Sequence, residues 1–343
     1  MQNPSGELAW EHDYDPREIA VVIPCYRVSA HILGVIAGIG PEVGKIYVVD
    51  DACPDRSGDL VERECRDMRV RVIRLPKNSG VGGAVMAGYR AALNDRQRVI
   101  VKVDGDGQMD PALIPDFISP ILFGEADYTK GNRFFDLEEL RNMPKVRLIG
   151  NATLSFLTKI SSGYWNVFDP TNGYTAIHSD VARHLPLEKI SHRYFFESDM
   201  LFRLNTLRAV VVDVPMSAKY GDEISNLHIS KVASEFFFKH VKNFLKRIFY
   251  NYYLRDMSVA SLQLPIGLVL VVFGGIFGAY HWFASLRTGM AAPLGTVMLS
   301  ALSIIVGLEF LLAFLAYDIS VVPIRPLQKK RDALFSRSTG NRH

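Results

Sequence analysis

The chain has 343 residues, of which 48% are hydrophobic, 22% charged and 11% aromatic. This composition excludes intrinsic disorder, collagen-like repeats and low complexity, and the length suits one large or two ordinary domains. The net charge of +3 combines an acidic part, residues 1–230, with a basic part, residues 231–343, which has 13 Lys and Arg against 5 Asp and Glu. A basic, apolar tail on an acidic body favours a membrane surface as the partner and argues against nucleic acid.

The cysteine content and the N-terminus both indicate a reducing compartment. The three cysteines, Cys25, Cys53 and Cys65, form no CxxC pair, which disfavours a disulfide framework and a structural zinc site. The N-terminal segment is polar and acidic and lacks the apolar core of a signal peptide. We therefore expect residues 1–17 to form a polar tail and residues 18–230 to be a cytosolic domain.

Within residues 18–230, short apolar runs alternate with helix-length segments. The runs predict strands over 19–24, 46–49, 70–75 and 99–103, with helices over 29–38, 56–67 and 81–94. This alternation predicts an α/β domain with a parallel sheet and right-handed crossovers. Ligands of such sheets bind beyond the carboxyl ends of the strands, where this sequence places Asp50, Asp51, Asp104 and Asp106.

Segment 103–108, VDGDGQ, is the centre of the predicted site. Asp104 and Asp106 stand two residues apart after an apolar strand, and the glycines beside them favour a turn. Two carboxylates that converge there can hold Mg²⁺ or Mn²⁺, and substrate phosphates typically supply further ligands. An ordinary Asp-Gly turn is the alternative, but the preceding strand and the acidic residues at a neighbouring strand end favour the metal site.

The glycines of residues 80–83, GVGG, suggest a dinucleotide-binding loop. That fingerprint needs a further glycine where this chain has Val85. It also follows a strand directly, whereas the glycines here follow a Pro-Lys-Asn-Ser loop. NAD binding is therefore disfavoured, and we expect these glycines to let a helix start close to a ligand or a strand.

Two apolar segments follow, over 264–284 and 291–317. Each is long enough to cross a bilayer, which takes about 20 residues, and two buried core helices are the disfavoured alternative. For Glu309, in the second segment, a functional or helix-contact role and a membrane-edge position both stay open.

Basic residues cluster at the two outer ends of the pair of apolar segments, which would lie on the same side of the membrane. By the positive-inside rule, that side is expected to be cytosolic. The basic residues lie before the first segment and after the second, at Lys239, Lys242, Lys246, Arg247, Arg255, Arg325, Lys329, Lys330 and Arg331. Both termini are then cytosolic, in a multi-pass protein of the inner (cytoplasmic) membrane. We expect amphipathic juxtamembrane helices over 231–258, two transmembrane helices over 259–318, and a basic cytosolic tail over 319–343.

Five motifs together resemble the family-2 glycosyltransferases of GT-A fold. They are VVIPCYR (21–27), VVDDACPD (48–55), NSGVGGAVMAGYRAA (78–92), VDGDGQMDP (103–111) and GNRF (131–134). With two spans at the C-terminal end, the chain resembles the polyprenyl-phosphate glycosyltransferases, similar to dolichyl-phosphate mannose synthase and bacterial undecaprenyl-phosphate sugar transferases. The resemblance implies a GT-A-type, mostly parallel sheet flanked by helices. It also implies transfer with inversion from a nucleotide sugar, expected to be UDP-linked, to a polyprenyl phosphate at the cytosolic membrane face.

The resemblance also implies roles for individual residues. On the donor side, Pro24 and Tyr26 line the nucleotide pocket, either Asp50 or Asp51 binds the base, and Arg133 and Arg147 lie near phosphates. Asp104, Asp106 and Gln108 match the metal cluster, for Mg²⁺ or Mn²⁺, and Asp104 also serves donor binding. On the acceptor side the matching residues are Arg147, Thr171, Asn172 (where the family usually has serine), Lys219 and Lys231. Asp106, Arg133 and Asp199 are the expected catalytic residues, with Asp199 facing the sugar.

Three questions stay open at the level of sequence. The acceptor can instead be a hydroxyl of a glycolipid or lipid-linked oligosaccharide, which would need Asp199 or Glu197 as a base. A non-enzymatic membrane scaffold that binds nucleotide sugar or lipid is the second alternative. Related two-span enzymes can form tetramers, so a homo-oligomer is a third open point.

Overall fold

The computed structural model describes residues 14–135, 145–217 and 229–329, with residues 145–149 and 229–233 described by their backbone only. The described residues up to Phe244 and from Pro323 onward form one compact unit, and Leu245–Val322 forms a second. The sequence predicts boundaries after residues 230, 258 and 318. The first observed boundary lies later because the helix that begins at Ile229 contributes buried side chains to the first unit through Asn243.

The first unit contains a seven-stranded sheet. Its strands are β1 (Ile19–Cys25), β2 (Lys45–Asp50), β3 (Val70–Arg74), β4 (Val99–Lys102), β5 (Tyr128–Asn132), β6 (Thr175–His178) and β7 (Val211–Pro215). The order is β3-β2-β1-β4-β6-β5-β7, and every neighbouring pair is parallel except those of β6, which runs antiparallel to β4 and β5. The sheet is therefore mostly parallel, as predicted, with one reversed strand that the sequence analysis does not anticipate.

Eight helices of more than five residues accompany these strands within the described ranges. They are α1 (Ile32–Ala37), α2 (Ser57–Glu64), α3 (Val81–Asn94), α4 (Ile114–Leu122), α5 (Lys145–Ser162), α6 (Ser179–His184), α7 (Phe196–Leu207) and α8 (Ile229–Phe249). The central strand β1 is enclosed on both faces, since its residues from Ile19 to Ile23 have no exposed surface. This burial is typical of a sheet covered by helices on both faces, and it explains the continuous apolar run in the sequence.

Residues 323–329, the described part of the segment predicted as a basic tail, belong to the first unit. The backbone N–H of Leu327 donates to both carboxylate oxygens of the buried Asp127 at 2.9 Å. The side-chain amide of Gln328 donates to the carbonyls of Ile121 and Ala126 at 2.9 and 2.7 Å. These bonds attach residues 327 and 328 beside the start of β5.

The second unit consists of a π-helical turn (Tyr250–Arg255) and two long helices, α9 (Val259–Thr288) and α10 (Leu294–Ser320). Both helices are long and apolar enough to be candidate membrane spans, at the places where the sequence predicts them. They pack closely at Gly267 and Gly307, where a methyl group on either glycine would lie 2.9 Å from the carbonyl oxygen of the other. Small residues at such a crossing are typical of helix pairs in membranes.

A buried ion pair lies within this second unit. Both guanidinium nitrogens of Arg247 contact the Asp318 carboxylate, at 2.5 and 3.0 Å, and the hydroxyl of Tyr252 donates to it at 2.6 Å. Arg247 is 2% exposed and Asp318 5%. The pair thus connects the end of α8 to the end of α10.

Candidate functional site

The carboxyl ends of β1, β2 and β4 surround one cavity of about 330 Å³. It is lined by residues at the end of β1 and just after it (Pro24, Cys25, Tyr26, Val28), after β2 (Asp51), after β4 (Asp104, Gly105, Asp106), around the start of α3 and before α7 (Arg193, Tyr194). The cavity lies where a doubly wound sheet binds its ligand. Five of the predicted donor and metal residues, Pro24, Tyr26, Asp51, Asp104 and Asp106, are therefore brought together.

The two consecutive aspartates after β2 have different surroundings. Both carboxylate oxygens of Asp50 accept backbone N–H bonds, from Cys53 at 2.7 Å and Gly58 at 3.1 Å. Asp51 borders the cavity and accepts from the N–H groups of Ser79 and Gly80 at 2.6 and 2.8 Å. Burial raises the pKa of Asp51 in spite of these bonds. The geometry therefore brings Asp51, and not Asp50, to the cavity.

Glycine at position 80 allows the approach to Asp51. Gly80 has a φ of +82°, and a methyl group there would lie 2.5 Å from the carbonyl oxygen of His192. Only glycine fits both demands. The expectation is that these glycines let a helix start close to a ligand or a strand. In the structure α3 starts against the loop at His192, and Gly80 borders the cavity.

Asp104 and Asp106 both border the cavity, whereas Gln108 does not. The backbone N–H of Gln108 donates to Asp106 Oδ1 at 3.0 Å, so Gln108 shapes the turn through its backbone. Among the described residues, no three acidic, His or Cys side chains form a group that could hold a metal ion by themselves. Two carboxylates at one cavity still fit a Mg²⁺-like ion that takes its other ligands from phosphate and water.

Arg133 is held by a buried carboxylate. Its Nε and Nη2 lie 2.8 and 3.2 Å from the two oxygens of Asp169, and Nη2 also donates to Thr171 Oγ1 at 3.3 Å. Burial opposes the charge of Asp169, but the bonds from Arg133 hold the pKa of this carboxyl below its usual range. The Arg133 side chain is still 30% exposed in this pair, so its guanidinium group is accessible to a phosphate.

Asn172 is a buried part of the same loop. Its Oδ1 accepts from the Tyr174 N–H at 2.9 Å, and its Nδ2 contacts Met216 Sδ at 3.1 Å. The side chain therefore stabilises the loop. Arg147 and Lys231 lie in α5 and α8, but their side chains are outside the described part of the chain, as is all of Lys219.

The two acidic residues of α7 have different environments. Asp199 is 5% exposed and accepts from Ser191 N at 2.9 Å, Arg203 Nε at 3.2 Å and Asn243 Nδ2 at 3.1 Å. Glu197 instead lies close enough to Lys102, Lys130 and Asp104 to interact with their charges, and burial raises its pKa while the lysines oppose that shift. Asp199 thus links the loop at Ser191 to α7 and α8. Its expected role at the sugar stays a prediction.

A second, mostly apolar cavity of about 270 Å³ lies next to Arg133 in sequence and in space. It is lined by Phe134, Asn151, Ala152, Ser155, Phe156, Lys159 and Phe168. The ammonium group of Lys159 lies 5.6 Å from the centre of the Phe168 ring, a cation–π distance. Among the residues that the structure describes, the lining therefore combines aromatic walls with one cation, Lys159.

Comparison with known proteins agrees with this geometry. The model of the family "Glycosyl transferase family 2" matches residues 20–185. An undecaprenyl-phosphate mannosyltransferase from Micrococcus luteus is 32% identical over 204 residues, which cover 58% of this chain and 82% of that protein. The chain belongs to glycosyl transferase family 2. The predicted family and enzyme class are thereby confirmed.

Further relatives and solved structures support the same family and fold. A UDP-N-acetylglucosamine–dolichyl-phosphate N-acetylglucosaminyltransferase from Methanococcus voltae is 28% identical over 218 residues, or 60% of this chain and 86% of that one. Glucosyl-3-phosphoglycerate synthase from Mycobacterium tuberculosis, crystallised with Mn²⁺, UDP-glucose and phosphoglyceric acid, superposes with a TM-score of 0.51 at 19% identity. That superposition covers 67% of this chain and 79% of the synthase, and it confirms the expected GT-A fold.

Two buried lysines near the cavity, Lys102 and Lys130, are not among the site residues predicted from the sequence. Lys102 donates to the carbonyl of Gly173 at 2.9 Å and lies 2.7 Å from Asp104 Oδ1. Lys130 donates to the neighbouring carbonyl, of Asn172, and burial lowers its pKa to about 8. The signal in the sequence was a lysine in each of two otherwise uncharged strands, since lysine is almost never fully buried without a partner.

Proposed function

We propose that the chain transfers a sugar from a UDP-sugar to a polyprenyl phosphate, with inversion, at the cytosolic face of a membrane. The observation that carries this proposal is the meeting of Asp104, Asp106, Asp51 and Tyr26 at one cavity beyond the strand ends. Asp51 supplies a carboxylate for the base, and Tyr26, 42% exposed, supplies an aromatic face. The complex of the Mycobacterium tuberculosis synthase with UDP-glucose and Mn²⁺ supports the same ligand class here.

Asp104 and Asp106 are the residues that would hold Mg²⁺ or Mn²⁺. A divalent ion bound there neutralises the negative charge that develops on the departing diphosphate. Arg133 adds a fixed positive charge, and Asp169 keeps its planar fork oriented for bidentate contact with phosphate. The protein thus supplies a preorganised electrostatic environment for the leaving group.

The cavity beside Arg133 supports an amphiphilic acceptor. Phe134, Phe156 and Phe168 offer an apolar surface for a hydrocarbon chain, and Lys159 offers a cation for its phosphate. Arg133, which lies 5.9 Å from the centre of the Phe134 ring, adds a second cation beside the cavity. A phosphate monoester, with a second pKa of about 6, is already ionised near neutral pH and needs no strong base. The three bonds that occupy Asp199 support this acceptor over a sugar hydroxyl. Arg147, Lys219 and Lys231 remain proposed contacts of the acceptor phosphate.

The second unit and α8 support a membrane location. Two candidate spans joined by a short loop, with basic residues at 239–255 and 325–331, support a cytosolic position for the sugar-transferring unit by the positive-inside rule. Phe237, Phe238 and Val241 on α8 are exposed, at 51%, 70% and 37%. We propose that this face of α8 lies at the membrane surface, near an acceptor whose tail stays in the bilayer.

Lipid analysis after incubation with a panel of donors tests the proposal. The full-length chain in detergent is incubated with Mg²⁺ or Mn²⁺, undecaprenyl phosphate and UDP- or GDP-linked sugars, and the extracted lipid is examined by mass spectrometry. We expect one polyprenyl monophosphate sugar, formed from a UDP-sugar. A product formed only with a hydroxyl-bearing glycolipid would replace the acceptor, and no consumption of any nucleotide sugar would favour a binding scaffold.

A further inference from the structure

A positive charge is built into the pair of carboxylates that would hold the metal ion. Lys102 Nζ lies 2.7 Å from Asp104 Oδ1, and the side chain of Lys102 is 1% exposed while that of Asp104 is 26% exposed. One oxygen of Asp104 is therefore engaged by an ammonium group, although the same carboxylate borders the donor cavity.

The surroundings of Lys102 keep this ammonium group in place. A methyl group on Gly173 would lie 2.5 Å from Lys102 Nζ and 2.8 Å from Asp104 Oδ2, so the three groups are in close contact. Lys102 and Lys130 are the partners of Thr175 on either side of β6, and they donate to the consecutive carbonyls of Gly173 and Asn172. Moving Lys102 away from these partners would leave a buried charge unpaired, which is strongly unfavourable.

We propose that Lys102 is a positioning residue that shares Asp104 with the metal ion and makes metal binding depend on the nucleotide diphosphate. This inference rests on the proposed function, because it takes Asp104 and Asp106 as metal ligands. The two carboxylates and the ammonium group carry a net charge of only about −1, a weak attraction for a dication. Glu197 and Lys130, which interact with this group, oppose each other in sign. The donor's diphosphate supplies the missing negative charge and oxygen ligands.

Mn²⁺ titration followed by electron paramagnetic resonance tests this dependence without any sugar transfer. The full-length chain in detergent is titrated with Mn²⁺ alone and with saturating UDP. For the unchanged protein we expect UDP to tighten Mn²⁺ binding at least about 10-fold. In Lys102→Gln, whose amide can still donate to Gly173 O, we expect Mn²⁺ alone to bind about 10-fold more tightly, because the competing charge is gone. Lys102→Arg keeps the charge and should keep the dependence on UDP.

The sign of the change separates this proposal from a purely structural role. If Lys102 only supported the fold, Lys102→Gln would weaken Mn²⁺ binding with and without UDP, and that result would overturn the proposal. Lys45→Gln is the matched control, because Lys45 pairs with Asp95 at 2.9 Å away from the cavity, and its Mn²⁺ affinity should not change.

The unchanged protein decides the matter even if the variant fails to fold. Equal Mn²⁺ affinity with and without UDP would refute the proposal whatever the sugar-transfer assay shows. If the lipid analysis instead found a different acceptor or a different sugar, the titration with Mn²⁺ and UDP would still test the role of Lys102 independently.

Discussion

The two units of the chain distribute polar and apolar side chains in opposite ways. In the first unit, the residues of β1 from Ile19 to Ile23 are fully buried, and the charged residues are mostly at the surface. In the second unit, apolar side chains such as Val269, Ile276 and Leu312 are 67%, 68% and 64% exposed, while Arg247 and Asp318 are buried. Water as solvent explains the first arrangement, and hydrocarbon as solvent would explain the second, in agreement with the proposed membrane location.

One ion pair in each unit illustrates the contrast, because the two pairs differ in their exposure. Asp104, bonded to Lys102, stays partly open to a cavity, where a ligand can compete for it. Asp318, bonded to Arg247 and Tyr252, is enclosed by protein on every side that the structure describes. If the proposed function is correct, the open pair of the first unit serves ligand binding, and the enclosed pair of the second unit serves folding.

The largest expected effect concerns the open carboxylates. Changing Asp106 or Asp104 to Asn should lower turnover about 1000-fold or more, because the charge that develops on the leaving diphosphate loses its stabilisation. The melting temperature of Asp106→Asn should change little, whereas Asp104→Asn also removes the carboxylate partner of the buried Lys102 and should lower it. Asp59→Asn, on the exposed face of α2, is the matched control and should keep full activity. Ordinary sugar transfer by Asp106→Asn would break the assignment of function to this charge.

The enclosed pair should show the reverse behaviour. Arg247→Leu leaves Asp318 buried without its cation, which should cost about 3–5 kcal/mol of unfolding free energy. The double variant Arg247→Leu with Asp318→Leu should recover much of that loss, because no unpaired charge remains. Unfolding of the full chain in detergent measures both, with the exposed Lys246→Leu as control. A double variant no more stable than the single one would show that packing and not charge dominates.

The sequence predicts the half of the sheet that precedes Asp104 well. Strands β1 to β4 and the start of α3 lie within one or two residues of their predicted bounds, because the strands are short, local, β-rich segments and α3 begins directly after Gly80. The antiparallel β6 has only four residues, Thr175–His178, and pairs with a strand about 70 residues earlier, which no local pattern reveals. The contacts of Lys102 and Lys130 with Gly173 and Asn172 depend on that pairing and were missed with it.

The choice between neighbouring acidic residues was also beyond the sequence. Asp50 and Asp51 follow one another at a strand end, and adjacent side chains there point to opposite sides. Glu197 and Asp199 are about 200° apart around α7, at about 100° per residue. Motif similarity locates each pair, but only the surrounding backbone donors decide which carboxylate is open to a ligand.

Replacement of one exposed apolar residue in each unit sharpens the contrast in solvent. Val269→Lys on α9 should cost about 2.5–3.5 kcal/mol of membrane insertion, as lysine does near the centre of a span. Met68→Lys, at a side chain 98% exposed in the first unit, should be silent. The fraction of full-length protein that stays with membranes after alkaline extraction measures both. Equal behaviour of the two variants would contradict hydrocarbon as the solvent of the second unit.

His240 provides the smallest test, through the pH dependence of stability. It is buried on α8, with Nδ1 2.8 Å from Ser161 Oγ, and burial lowers its pKa from 6.5 to about 4. Below pH 6.5 the unfolded chain binds a proton that the folded chain refuses, so the free energy of unfolding falls as pH drops toward 4. Between pH 7 and 5 the expected loss is about 2 kcal/mol.

The contribution of His240 is read as the difference between the unchanged protein and His240→Gln. Burial raises the pKa of Asp213 to about 6, so that its effect over pH 4 to 6 has the opposite sign and is shared by both proteins. Removing the imidazole should therefore cancel the loss of about 2 kcal/mol on acidification, measured by thermal unfolding in detergent. His184→Gln, at an exposed position in α6, should leave the pH dependence unchanged. If His240→Gln also left the pH dependence unchanged, the imidazole of His240 would take up its proton as readily in the folded as in the unfolded chain. The site of His240 on α8 would then be accessible to water.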